Sequence, residues 1–301
     1  MVFIVNKKVL IVGMGFGNAV YVPVYQQLGF DIVTVDAYKD ADFDNIESAI
    51  DVNKFFNTVH ICTPNHTHEE LARKVAPYAE IIFVEKPGVK DQLAWAKLTT
   101  DFIDTTRIIM VKNNQYREEI ERFKFLLQRS KKVIINWTNK NRIPNPGSWF
   151  TTKEFAFGGV SRDLMPHLLS YFTVMTDYFN STKKYASANQ HYTLESITDS
   201  DYGVVDPSGT YNVDDFCYFN FLDTNDTDWE MTSSWKNNEP DDSSISFVLN
   251  TNEIVKFKLG LCPESAYKTM IVTALENLKN DKFWKDQYEQ DMWIHRQVQP
   301  I

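Results

Sequence analysis

No uninterrupted apolar run in this 301-residue sequence approaches the ~20 residues that a membrane-spanning helix needs, so no membrane partner is expected. Positive charge is also short: 31 Lys and Arg against 40 Asp and Glu leave a formal net charge of −9. A nucleic-acid partner would require a basic face and is not expected either. Cysteine is scarce and odd in number. Cys62, Cys217 and Cys262 lie far apart, which suits a reducing compartment and suggests neither a disulfide framework nor a metal site. The stretch from Met1 to Leu10 lacks the basic start, long apolar centre and small-residue cleavage site of a signal peptide, and a cytoplasmic location is the expectation. What remains is a soluble globular composition, 43% hydrophobic and 24% charged, long enough for two domains.

Up to about residue 118, short apolar strands alternate with helical stretches. Lys8–Val12, Asp31–Asp36, Thr58–Cys62, Ile81–Lys86 and Arg107–Val111 read as strands, and Ala19–Leu28, Asn45–Ile50, Glu69–Val75 and Asp91–Phe102 as helices. That alternation predicts right-handed crossovers and a parallel, doubly wound α/β sheet over residues 1–118. From 119 to 301 the pattern changes to a run of strands. A helix at Glu118–Gln128 and a strand at Lys132–Thr138 come first, then one helix from Arg162 to Tyr178. Strands follow at Tyr185–Leu194, Asp215–Leu222, Trp229–Trp235, Ser244–Leu249 and Glu253–Leu259, with closing helices at Ala266–Leu278 and Lys282–Gln297. This order predicts an α+β domain on a large, mostly antiparallel open sheet. Its aromatics, among them Phe216, Tyr218, Phe219, Phe221, Trp229, Trp235, Phe247 and Phe257, either form core or leave one sheet face for a second subunit.

Four stretches carry chemistry. Gly13-Met14-Gly15-Phe16-Gly17-Asn18 lies where the first strand hands over to the first helix, where glycines let the backbone approach a pyrophosphate. The dinucleotide fingerprint places its third glycine where Asn18 stands, and Gly17 falls one residue early. Asp36 ends the second strand, where a carboxylate can accept from ribose hydroxyls and repel a 2′-phosphate, which favours NAD over NADP; Lys39 nearby blurs that preference. Thr63, Pro64 and Asn65 form a turn at the next strand end, and His68 caps or abuts the helix behind it. Glu85-Lys86-Pro87 ends an apolar strand in a charged pair, which either is a surface ion pair or delivers Lys86 to the ligand-binding sheet edge. Further on, Gly158-Gly159 and a possible N-cap at Ser161 start a helix bearing Asp163 and His167 four residues apart. A carboxylate there can orient an imidazole that takes a proton near neutral pH, or the two form a surface pair.

In order and spacing these residues resemble the glucose-fructose oxidoreductase / inositol dehydrogenase family (Gfo/Idh/MocA). The resemblance implies a Rossmann domain binding NAD or NADP, followed by an α/β domain that completes the substrate site and often mediates oligomerisation. By that resemblance Lys86, Asp163 and His167 are the catalytic set. Gly13, Met14, Gly15, Phe16, Gly17, Asn18, Asp36, Thr63, Pro64, Asn65, His68, Glu85 and Lys86 are the cofactor-binding stretch. Asn113, Tyr116, Arg142 and Trp149 are candidates for the substrate pocket. The expected activity is NAD(P)-dependent hydride transfer at a hydroxyl or carbonyl carbon of a sugar, cyclitol or sugar nucleotide. The alternatives are a cofactor-binding sensor without turnover, or a reductase of a conjugated or imine substrate like the biliverdin reductases. Three departures stand out: Asn18, Ala79-Glu80 before the Lys86 strand, and Met165-Pro166 beside His167.

Overall fold

A computed structural model describes residues 7–299. The first unit starts with β1 (Lys8–Val12), α1 (Phe16–Gln27), β2 (Asp31–Val35), α2 (Ile46–Asn53), β3 (Phe56–Ile61), α3 (His68–Val75), β4 (Ala79–Val84), α4 (Gln92–Asp101) and β5 (Arg107–Met110). Its five strands are all parallel, in the order β2-β1-β3-β4-β5. β1 and β4 read as continuous apolar runs because both their faces are covered; Ile81, Ile82, Phe83 and Val84 are fully buried. The order reverses between β1 and β3. Ligands of open parallel sheets bind at such a switch point, outside the carboxyl ends of the strands.

The second unit holds α5 (Ile120–Leu127), β6 (Ser130–Thr138), α6 (Lys153–Ala156), α7 (Val160–Asp163), α8 (Met165–Met175), β7 (Thr182–Asn189), β8 (Phe216–Leu222), β9 (Asp228–Ser234), β10 (Asp242–Leu249) and β11 (Ile254–Lys258). Its sheet runs β11-β10-β6-β9-β8-β7, antiparallel except for the parallel pair β6–β9. Alternation along the strands sends Phe219, Phe221, Trp229, Met231 and Phe247 to one buried face. Phe172 of α8 packs there at 5.0 Å from both Phe221 and Trp229, and Phe123 of α5 at 5.7 Å from Phe247. Most of the aromatics named from the sequence are thus core. The other face is mixed: Lys132 pairs with Glu230 at 2.8 Å, next to half-buried Asn136, Thr232, Phe216 and Tyr218.

Two expectations change. The boundary is not a single cut at residue 118. The first unit runs to Val111 and takes back Pro263–Arg296, while the second runs from Lys112 to Cys262. The closing helices α9 (Glu264–Glu276) and α10 (Asp281–Gln297) pack on the parallel sheet. Arg107 pairs with Asp281 at 2.6 Å, Met110 N–H donates to Asp291 Oδ2 at 3.0 Å, and Trp95 stacks on His295 at 5.0 Å. The expected single helix from Arg162 to Tyr178 is interrupted at Leu164, and Tyr178 starts a separate 3-10 turn. Pro166 has no N–H to extend the α7 ladder, so His167 N–H bonds to Leu164 O, three residues back. Among the described residues no helix is long and apolar enough to cross a membrane, and no group of three His, Cys, Asp or Glu could hold a metal ion.

Candidate functional site

Within the first unit, three turns meet at the carboxyl edge of the sheet. Gly13 has φ +97°, and a Cβ there would sit 2.7 Å from the Cys62 carbonyl oxygen, so the turns after β1 and β3 touch backbone to backbone. A Cβ on Gly17 would fall 2.6 Å from Ile11 Cγ2. Gly17 therefore does the close helix-on-strand packing that the fingerprint assigns to its third glycine. Asn18, the fingerprint position, is exposed, so the departure read from the sequence has no packing consequence. Gly15 differs from both: its added Cβ would meet only Lys39 Nζ, at 3.2 Å. Gly15 is also the N-cap of α1, with no side-chain cap, and Phe16 beside it is 42% exposed. An open backbone approach next to uncapped helix N–H groups fits a dinucleotide pyrophosphate.

Asp36 stands directly beside this turn. Its Oδ2 accepts from Met14 N–H at 2.7 Å, and its Oδ1 from Tyr38 and Lys39 N–H at 2.8 and 3.0 Å. Burial pushes the carboxyl up, but these three donors outweigh it and hold the group below its ordinary value.

The turn after β3 is internally braced, with Thr63 Oγ1 and Thr67 Oγ1 2.6 Å apart and Pro64 O accepting from Thr67. Asn65 opens the 3-10 turn that leads to α3. His68, the first residue of α3, is fully buried. Its ring lies 2.8 Å from Thr63 O and 2.7 Å from Gly88 O, tying the turn after β3 to the one after β4. Burial lowers its pKa to about 4, against the two carbonyls, which favour the protonated ring.

Lys86 sits half-buried at the tip of the turn after β4, which closes through Gly88 N–H to Glu85 O at 2.9 Å. Glu85 faces inward and accepts from Tyr21 Oη–H at 2.6 Å; burial raises its pKa. Behind the turn a Cβ on Gly88 would strike His295 Nε2 at 2.7 Å. Tyr21 and His295 escaped the sequence reading, because nothing local marks residues that reach this turn from 64 and 206 positions away.

In the second unit the helix start is organised by Asp214. Gly159 N–H, Ser161 N–H and Ser161 Oγ all bond to its carboxylate at 2.9, 2.7 and 3.0 Å. The N-cap is Gly159, and Ser161 lies inside the helix, which corrects the capping role expected for Ser161. A Cβ on Gly159 would fall 1.7 Å from Asp214 O. Asp163 ends α7 and His167 lies in the first turn of α8, so the pair straddles the interruption at Leu164. Asp163 Oδ2 accepts from Trp235 Nε1–H at 2.9 Å, and the His167 ring lies 5.3 Å from that of Trp137. The four substrate candidates sit in separate local settings. Asn113 is buried, and Tyr116 ends the same 3-10 turn half-buried. Arg142 lies 5.2 Å over the Tyr202 ring, and Trp149 stacks on Phe150 at 3.9 Å.

No protein-family model matches the sequence. A protein of Amycolatopsis mediterranei named as a UDP-kanosamine synthase oxidoreductase subunit is 27% identical over 112 residues, 36% of this chain and 31% of that protein. Solved structures match over nearly the whole length. GenD2 from gentamicin A biosynthesis, in complex with NAD, has a TM-score of 0.75 at 16% identity, covering 99% of this chain and 93% of that one. A myo-inositol dehydrogenase from Corynebacterium glutamicum has 0.73 at 12%, covering 98% and 95%. Levoglucosan dehydrogenase with NADH and levoglucosan has 0.71 at 14%, covering 98% and 97%. The chain therefore shares the fold of these three structures.

Proposed function

We propose that this protein is an NAD(P)-dependent dehydrogenase or reductase of a polyhydroxylated small molecule, a sugar, cyclitol or sugar nucleotide. The observation that carries this reading is the turn at Gly13, Gly15 and Gly17: two glycines are locked by packing and the middle one is left open beside the N-terminus of α1. Gly15 and Phe16 would hold the cofactor phosphates, with Met14 N–H bracing Asp36 toward the adenosine ribose and Thr63, Pro64 and Asn65 along the neighbouring strand end. The Asp36 carboxylate favours NAD; Lys39 beside Gly15 leaves NADP open.

The nicotinamide group, when bound, supplies a hydride acceptor or donor. The protein's part is placement and proton transfer. Lys86, at the tip of a tight turn, donates a hydrogen bond to the reacting oxygen of substrate and stabilises the charge developing there. The His167 imidazole takes the hydroxyl proton in oxidation and returns it in reduction, and Asp163 orients or assists it. Asn113, Tyr116, Arg142 and Trp149 are the candidates for contact with the rest of the substrate. GenD2, the inositol dehydrogenase and the levoglucosan dehydrogenase support this substrate class by their fold and their names. We further propose a cytoplasmic homo-oligomer assembled through the mixed face of the second sheet, to be checked by light scattering on the eluting protein.

The test is a screen of NAD+ and NADP+ reduction against sugars, inositols and sugar nucleotides, followed by Lys86→Ala and His167→Ala. Each substitution is expected to lower kcat at least about a hundredfold while NADH still binds. Near-normal turnover in both variants would end this mechanism, and NADH binding without turnover of any substrate would favour the sensor.

A further inference from the structure

We propose that Trp235 is a positioning residue for proton transfer, its indole N–H fixing the Asp163 carboxylate. The proposal rests on the dehydrogenase reading and deepens it. Trp235 is 1% exposed and immediately follows β9. Its Nε1 lies 2.9 Å from Asp163 Oδ2. An indole can only donate and a carboxylate only accept, so the polarity of this bond is fixed.

The indole is itself firmly held. Trp235 N–H donates to Asp215 O at 3.1 Å, and Trp235 O accepts from Arg142 N–H at 2.7 Å. α7 is a single turn and ends at Asp163, and Leu164 separates it from α8. A carboxylate at the end of so short a helix takes its orientation from whatever grips it.

His167 meets a second indole. Trp137 pairs with Ser233 on the parallel β6–β9 ladder, so Trp137 and Trp235, two residues beyond Ser233, lie toward the same face at one end of the sheet. The Trp137 ring lies 5.3 Å from the His167 ring at 33°. Adjacent strand ends thus give one indole to each member of the pair, on the two sides of the helix break. Only the Trp235 contact is a directional bond to a charged group, and such bonds are the stronger ones to lose.

The test compares wild type, Trp235→Phe, Asp163→Asn and the double variant, each assayed for kcat, KM and NADH affinity. Trp235→Phe keeps an aromatic ring and removes the N–H. It is expected to lower kcat about 10- to 100-fold, with NADH affinity and substrate KM within about twofold of wild type. If Trp235 acts through Asp163, the double variant should be within about twofold of Asp163→Asn alone. Full additivity of the two losses, or unchanged kcat in Trp235→Phe, overturns the proposal while leaving the dehydrogenase reading intact. No turnover by wild type with any substrate overturns both. Should Trp235→Phe fold poorly, 3-benzothienylalanine at position 235 replaces the N–H by sulfur at nearly constant shape, and the same outcomes apply.

Discussion

Alanine at Gly13 and alanine at Gly15 should separate folding from cofactor binding within three residues of sequence. At Gly13 a side chain meets two penalties. The backbone φ of +97° is costly for an L-residue, about 1–2 kcal/mol, and the new Cβ would lie 2.7 Å from the Cys62 carbonyl oxygen, backbone that cannot swing aside. Overpacking of that kind adds about 1–3 kcal/mol, so Gly13→Ala should cost roughly 2–5 kcal/mol. For a unit of this size that lowers Tm by about 5–15 °C. At Gly15 the φ of −68° is ordinary, and the only near atom is the end of the flexible Lys39 side chain, 3.2 Å away. Gly15→Ala should therefore stay within about 0.5 kcal/mol of wild type. The same methyl stands where a phosphate would approach the backbone, and NADH should bind at least about tenfold more weakly. Thermal melts report the first quantity and fluorescence titration with NADH the second. A Gly15→Ala protein that binds NADH normally would refute the assignment of this turn. A Gly13→Ala protein that melts with wild type would refute the packing argument.

Glu85→Gln should flatten part of the pH dependence of stability. Burial raises the folded pKa of Glu85 above its unfolded value, so its contribution is fully present below about 4.5 and is lost as pH rises through the raised value. Chemical denaturation of both proteins from pH 4 to 8 should show the variant gaining relative stability with pH, and parallel curves would contradict the sign. Asp214→Ala strips three hydrogen bonds from the start of α7 and should cost about 1–3 kcal/mol; a melt unchanged from wild type would show that the helix start is held otherwise.

The first unit was largely legible because its signals are local. Buried parallel strands write themselves as apolar runs, and the turns after them carry glycine, Asp36 or Lys86 within one or two residues of the strand end. The break at Leu164 was less legible: Asp163 and His167 have helical spacing, and Pro166 is equally compatible with a first turn or an interruption. The return of α9 and α10 to the parallel sheet left no mark either, since amphipathic helices do not state which sheet they cover. Gly17 served the fingerprint's third position from one residue early, because what matters is proximity to Ile11 in space.

By itself, then, the sequence determined the order of strands and helices, the glycine turn on the first strand and the lysine on the fourth, all set by residues adjacent in the chain. Tertiary structure alone decided what grips each candidate: Tyr21 on Glu85, His68 between two turns, Asp214 on the helix start and Trp235 on Asp163. Those pairs are between 5 and 72 residues apart. Hydropathy and spacing report which face an element buries, whereas a hydrogen bond depends on which two faces packing brings together.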